Sequence, residues 1–287
     1  MKIERVRWKD WDAVRYIASE CEMVVGVSAG PRILSLRRGD GPNLLYHDTT
    51  DFRVGDWRLH GGHRLTVAPE SAETYAPDNA PCVVETREQE LRVAAHPGTD
   101  GTRRVLVISA ATDGAGFDLR HVLENHGEHP WRGALWGITC VPHAGSVVAP
   151  LTQPRLRFWP GAEREHWQLA PGHIAMTPNG ARTKTGWHSD AGWLASLQRD
   201  ATFVIHCPDA PPPHECVDEG CNFEVFTCAD YVELETLSGT VTLAPGESAS
   251  HLQRWRLLSP VFTPHDWQAI GAQAGCVSTA REVQYAP

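Results

Sequence analysis

The sequence predicts an all-β fold, a sandwich or barrel assembled from many short strands. Three observations carry that expectation. Runs rich in Val, Ile, Leu, Thr and aromatic residues recur along the chain, Gly, Pro, Asn and Asp separate them at short intervals, and only one late segment carries the marks of a helix. In chain order the runs are MVVGVS, RILSLRR, VVETREQELRVAAH, RRVLVISA, FDLRHVLEN, ALWGITCV, HWQLAPGHIAMT, WLASLQRDATFVIHC, VTLAPG and HLQRWRLL. Alternation is clearest in FDLRHVLEN, where Phe117, Leu119, His121 and Leu123 oppose Asp118, Arg120, Val122 and Glu124, as in a strand with one wet face. The helix signal is Thr263, Pro264 and Asp266: an N-cap, a proline at the first helical position and an acid in the first turn, ahead of WQAIGAQ. No repeat, low-complexity tract or linker divides the chain, so residues 1–287 are expected to form one domain, with PDAPPPHEC (208–216) as a rigid loop.

Composition narrows the function. With 41% hydrophobic and 21% charged residues in 287, the chain has the make-up of a globular protein able to bury a sizeable core. A formal net charge of -9 and the lack of any long basic patch argue against nucleic acid and anionic membranes, leaving a small molecule as the expected partner, with room for a homo-oligomer or a partner chain. The N-terminal stretch lacks an apolar core of signal-peptide length, and no run of about 18 apolar residues occurs, so a cytoplasmic location is expected. The eight cysteines lack paired spacing and read as free thiols. Only Lys2, Lys9 and Lys184 are lysines, which makes Lys184 conspicuous.

Several segments could carry chemistry. DWRLHGGHRLTVAPE (56–70) sets His60, His63 and Arg64 around a Gly-Gly pair that lets the backbone approach a neighbour or a ligand closely. YAPDNAP (75–81) adds Tyr75, Asp78 and Asn79, able to bond a sugar or simply to form an Asx-turn. HVLENHGEHPWRGALWGITCV (121–141) brings Trp131 and Trp136, flat faces suited to the C–H surface of a sugar, although most tryptophans fill cores. His214, Cys216 and Cys221 are soft ligand types, but structural zinc needs four ligands from paired spacings, so no metal is expected. Serine-nucleophile, P-loop and dinucleotide signatures are missing as well.

CNFEVFTCADYVELETL (221–237) poses a problem of charge. With Ala229 and Asp230 as a two-residue hairpin loop, Cys228 faces Tyr231, Phe226 faces Glu233 and Glu224 faces Glu235. Asn222, Glu224, Phe226, Tyr231, Glu233 and Glu235 then share one face, while Val232 and Leu234 form the natural buried set on the other. Like charges directly opposed destabilise a strand pair, so the patch is expected to serve a ligand. Crowding and burial should raise at least one carboxyl pKa and suit it to proton transfer near neutral pH.

The order GGHRL, APE, PDN, a strand ending in EN with a tryptophan beyond it, then GCNFEVFT, VELETL, LAPGES and RWRL resembles the galactose mutarotase-like superfamily, in a bacterial branch distant from the true aldose 1-epimerases, over roughly residues 20–258. The resemblance implies a large antiparallel β-sandwich with a sugar cleft on one concave sheet and no cofactor. It implies that Glu235, in its ET context before the PGE turn, is the general base. It implies that His60, in LHGG, helps to bind the sugar. The family's acid histidine lies on the strand that here reads ALWGITCV, and Trp136 stands at its place. The acid role then falls to His63, His60 or another nearby histidine, with Arg64 and Glu224 orienting the substrate, Trp136 as an apolar wall, and Asn222, Glu233, Tyr75 and Asp78 around it. Two alternatives accompany this epimerase-like reading. One is a biosynthetic enzyme performing elimination or ring closure, with Glu235 as base and His60, His63 and Arg64 holding an anionic leaving group such as sulfate or phosphate. The other is a noncatalytic carbohydrate-binding protein.

Overall fold

The structure, a computed structural model, describes residues 1–151, 155–259 and 262–276. Two large antiparallel sheets face each other. The first, of eleven strands, runs in the order Lys2–Trp8, Trp11–Ala18, Cys21–Gly26, Arg32–Arg38, His63–Ala68, Trp131–Pro142, Tyr231–Leu237, Phe223–Thr227, Thr183–Trp187 and Leu156–Phe158, with Val241–Leu243 also paired to Trp131–Pro142. The second has ten strands: Trp167–Ala170, His173–Met176, Ser146–Pro150, Trp193–Leu197, Thr202–His206, Ser248–Leu258, Gly116–Asn125, Thr102–Ala110, Glu90–Ala94 and Val83–Arg87. This is the all-β sandwich that the strand density predicts.

The core lies between the sheets and draws on both. Tyr16, Met23, Ile33, Phe223 and Leu234 from the first sheet pack with Ile108, Phe117, Phe203 and Trp255 from the second. Strict alternation produces this: Phe117, Leu119, His121 and Leu123 are buried while Arg120 opposite them is exposed. The helix Trp267–Gln273 follows its cap as expected, with Thr263 N and Oγ1 both donating to Asp266 Oδ2, at 2.8 and 2.7 Å. The register of the acidic hairpin is also the expected one, Glu224 facing Glu235 and Phe226 facing Glu233. No helix among the described residues is long and apolar enough to cross a membrane.

The Gly-Gly pair is built into this framework. Gly62 has φ +67, its N–H donates to Tyr46 O at 2.7 Å and its carbonyl accepts from Cys140 N at 2.8 Å. A Cβ there would lie 2.1 Å from Ile33 O. Only glycine combines this left-handed backbone with such a close strand approach.

In the middle of the sandwich a polar network ties the sheets together. His63 and Thr139 on the first sheet meet His121 on the second: His63 Nδ1 is 2.8 Å from Thr139 Oγ1 and His63 Nε2 is 2.7 Å from His121 Nε2. His121 Nδ1 lies 3.1 Å from the His251 carbonyl, so it must carry the proton. His121 Nε2 is then the acceptor, His63 Nε2–H the donor, and His63 Nδ1 accepts from the Thr139 hydroxyl. A parallel branch runs from Trp255 Nε1–H to Gln253 Oε1 and from Gln253 Nε2–H to Thr236 Oγ1, whose hydroxyl lies 2.8 Å from His251 Nε2. All three rings are neutral. Burial lowers the pKa of His121 to about 4 and of His251 to about 3, and pushes His63 well below the ordinary range, where its histidine neighbours add to the effect.

Two outcomes follow. Gly62→Ala should lower the unfolding free energy by about 2 kcal/mol or more, read from the urea midpoint; an unchanged midpoint would contradict the close approach described. The three histidines take up protons below about pH 6.5 in the unfolded chain but not in the fold, so stability present above that pH is lost as pH falls toward 4. The slope is about 1.4 kcal/mol per pH unit for each ring. Urea midpoints should fall between pH 6.5 and 5, with proton uptake by Glu233 from about pH 7 offsetting part of the slope, and should fall less steeply in His251→Gln.

Candidate functional site

The outer face of the first sheet carries a cleft of about 640 Å³. Two cross-strand rows form its floor. One row reads Cys140, Glu233, Phe226 and Lys184; the next reads Arg64, Ile138, Glu235, Glu224 and Gly186. Each of these residues alternates with a core-facing neighbour, so the same strands that bury Val232, Leu234 and Val225 turn the acidic set outward. Trp57, Tyr75, Trp136, Trp159 and Tyr231 stand around the floor as aromatic walls.

The like-charge problem of the hairpin is solved by one lysine. Lys184 Nζ lies 2.8 Å from Glu224 Oε2 and 2.9 Å from Glu235 Oε2, with both glutamates wholly buried. The ammonium also sits over the rings of Trp136 (4.6 Å to the centroid) and Trp159 (4.9 Å). Burial disfavours its charge, but Glu235 and Glu224 outweigh burial and hold its pKa above the ordinary lysine value. Burial and then Glu235 push the Glu224 carboxyl well above the usual range, so a proton on Glu224 relieves the repulsion. Gly186 makes the approach feasible: a Cβ there would lie 2.9 Å from Cys221 Sγ, 3.1 Å from Glu224 Cγ and 3.2 Å from Trp159 Cη2.

Glu233 differs from its two neighbours. It lines the cleft, and its recorded side-chain contact is Cys140 Sγ, 3.8 Å from Oε1, with no lysine or arginine nitrogen at ion-pair distance among the described residues. Burial and the negative charge of Glu235 raise its pKa to about 7, against the pull of Arg64 and Lys184. Arg64 is buried, stacks over Trp57 at 4.5 Å and donates from Nη1 to the Thr74 carbonyl at 3.1 Å. Tyr75 donates its hydroxyl to Glu70 Oε1, and burial raises its pKa to about 12.

Of the residues singled out in the sequence, Arg64, Trp136, Glu233 and Tyr75 line the cleft, while Glu235 and Glu224 lie beneath it on Lys184. The others lie elsewhere. His63, one residue before Arg64, points into the inter-sheet network. His60 has φ +54 and packs edge-on against Trp11, where burial and then Arg32 lower its pKa to about 4. Asp78 pairs with buried Arg32 at 2.9 Å. Asn222 holds the backbone of Ser189, accepting its N–H at 2.8 Å and donating to its carbonyl at 3.1 Å. Lys184, Trp159 and Arg182 at the cleft were not among the expected site residues; rarity of lysine was the one signal for Lys184.

Removing the ammonium should expose the repulsion it masks. Lys184→Met is expected to cost about 3–5 kcal/mol of stability at pH 7, and adding Glu224→Gln should recover part of that. Denaturation of both variants decides the matter, and strictly additive losses would contradict the shared ion pair.

No protein-family model matches the sequence, and no curated protein matches it. Solved structures do match the fold. A galactose mutarotase-like protein from Lactobacillus casei ATCC 334 aligns with TM-score 0.58 at 12% identity, over 86% of this chain and 100% of that one. A galactose mutarotase-like protein from Clostridium acetobutylicum aligns with TM-score 0.55 at 10% identity, over 90% and 98%. A galactose mutarotase related enzyme from Lactobacillus acidophilus gives TM-score 0.55 at 9% identity, over 88% and 100%. At these identities the likeness is one of architecture: the two facing antiparallel sheets of this chain have the galactose mutarotase-like fold.

Proposed function

We propose that the cleft is an active site for carboxylate-based proton transfer on a sugar or sugar-like small molecule, with Glu233 as the exchanging group. The observation that carries this reading is an unpaired carboxyl in an aromatic-walled cleft, tuned to about pH 7 by its surroundings. A group with that pKa is half ionised at neutral pH and can both take and return a proton.

The resemblance in sequence points to Glu235 as base. A base must come within hydrogen-bond reach of its proton, and Glu235 is wholly buried with one oxygen on Lys184. Glu233, two residues earlier on the same face, meets that requirement without disturbing the ion pair. No histidine is among the residues lining the cleft, so the proton donor is sought among hydroxyls. Tyr231 shares the face of Glu233, about 7 Å away along the strand. Burial and then Glu233 keep its phenol protonated above the ordinary tyrosine range. In an epimerase-like cycle Glu233 takes the anomeric hydroxyl proton, the ring C–O bond breaks, and the ring oxygen takes the Tyr231 proton. After rotation of the open chain the two protons return along the same paths as the ring recloses. Lys184, fixed by its two glutamates, holds the floor beneath the reacting face in place.

Polarimetry across a panel of aldoses, aldose phosphates and hexuronic acids tests the reading. A base must be deprotonated, so kcat/KM should rise with pH through about 7 and level off above it. Glu233→Gln should lose 100-fold or more and lose that pH dependence. Full loss in Glu235→Gln with an unchanged melting temperature, alongside an active Glu233→Gln, would move the base back to Glu235.

A further inference from the structure

The charge at the cleft runs against the charge of the chain. The formal net charge is -9, yet Arg64, Arg182 and Lys184 all line this recess, against Glu70 and Glu233. Lys184 is neutralised from below by its two glutamates. The two arginines are not: among the described residues neither has a carboxylate within ion-pair distance. Arg64 is the more telling, because only 8% of its surface is exposed and its recorded hydrogen bond is the single one to Thr74 O. A guanidinium taken out of water needs acceptors for its donors, and an uncompensated buried charge is costly.

A second, independent group asks for the same thing. Trp136 lines the cleft, is 4% exposed, and its buried Nε1–H has no acceptor. Donors without partners among the described residues thus stand on two neighbouring strands of the cleft, His63–Ala68 and Trp131–Pro142, the guanidinium lining the recess and the indole N–H buried behind its wall. Ring faces make up much of the remaining wall: Trp159, Phe226 under the Arg182 guanidinium at 4.9 Å, Tyr75 and Tyr231. A neutral sugar has hydroxyl oxygens that can accept from these donors but brings no negative charge to balance the unpaired guanidiniums. An anion with a flat apolar body answers both features.

We infer that the ligand of the cleft is an organic anion bearing a ring, its carboxylate, sulfate or phosphate oxygens taken by the Arg64 guanidinium and its ring lying between the aromatic walls. The inference rests on the reading of the cleft as the functional site and names the class of molecule that site takes.

Calorimetric titration with phenyl β-glucuronide and phenyl β-glucoside isolates the charge, since the pair differs at one carboxylate; glucuronate without the phenyl group isolates the ring. The glucuronide should bind the wild-type protein at least 10-fold more tightly than either. Arg64→Gln should abolish the preference over the glucoside, and Arg64→Lys, which keeps the charge but not the fork, should retain part of it. The preference should also weaken as pH rises through about 7, because Glu233 gains a negative charge beside the anion. Equal or absent binding of the matched pair to the wild type overturns the inference, as does a ratio that survives Arg64→Gln in a folded protein. Because the readout is equilibrium binding, anion preference without turnover of any sugar would sink the proton-transfer reading alone. Turnover of neutral aldoses without anion preference would sink this inference alone.

Discussion

Two carboxyl groups placed directly opposite each other on adjacent strands cannot both stay buried as bare anions, and the architecture of the cleft follows from how this chain meets that constraint. Lys184 supplies a counter-charge, from the strand on the far side of Glu224. Its ammonium reaches both acids and lies over the rings of Trp136 and Trp159, and Gly186 leaves the space that Glu224 and Trp159 occupy beside it. The ion pair therefore organises the aromatic walls as well as the floor. It also leaves one acid out. Glu233 sits beyond the reach of the shared lysine, with burial and a neighbouring negative charge both disfavouring its ionisation, and this is why the third carboxyl is the one that titrates near neutrality.

Strand alternation then keeps two incompatible polar systems apart. His63 and Arg64 are adjacent in sequence, yet one enters a sealed network of neutral rings and the other an open recess. Thr236 and Glu235 divide in the same way, as do Thr139 and Cys140. The inward system is satisfied by hydrogen bonds among its own members and needs no charge, whereas the outward system is charged and only partly satisfied. A buried network of this kind fixes a single alignment of the two sheets, because any slip leaves donors without acceptors. The cleft inherits that rigidity from strands whose other faces are locked.

Much of this was legible in the sequence where period and chemistry agreed. The hairpin register came from a two-residue loop and the opposition of Val232 and Leu234 to the acids; the helix Trp267–Gln273 came from its cap. The first two strands, Lys2–Trp8 and Trp11–Ala18, were not read, because charged residues interrupt them and the outer one is a sheet edge with little to bury. Thr183–Trp187 also escaped notice, being short and holding a glycine. The grouping of His60, His63 and Arg64 shows the limit most clearly. Three polar residues around a double glycine look like one constellation, but a strand begins at His63, so its two leading side chains must part. Applying the alternation of His63, Leu65 and Val67 against Arg64 and Thr66 would have separated them; what it could not supply is the partner of His63, which comes from strand Gly116–Asn125 in the opposite sheet.

The position of Trp136 connects fold to chemistry. Where the family resemblance implies an acid histidine, this chain has an indole whose ring steadies Lys184 and whose N–H lacks an acceptor. An indole cannot exchange a proton at neutral pH, but it can donate a hydrogen bond and exclude water from the ammonium beneath it. With an indole at this place the wall beside the ammonium is apolar, and Glu233 is the cleft carboxyl raised to about 7. The outward residues of five alternating strands line or underlie the cleft, while their inward neighbours join the core that holds the two sheets together.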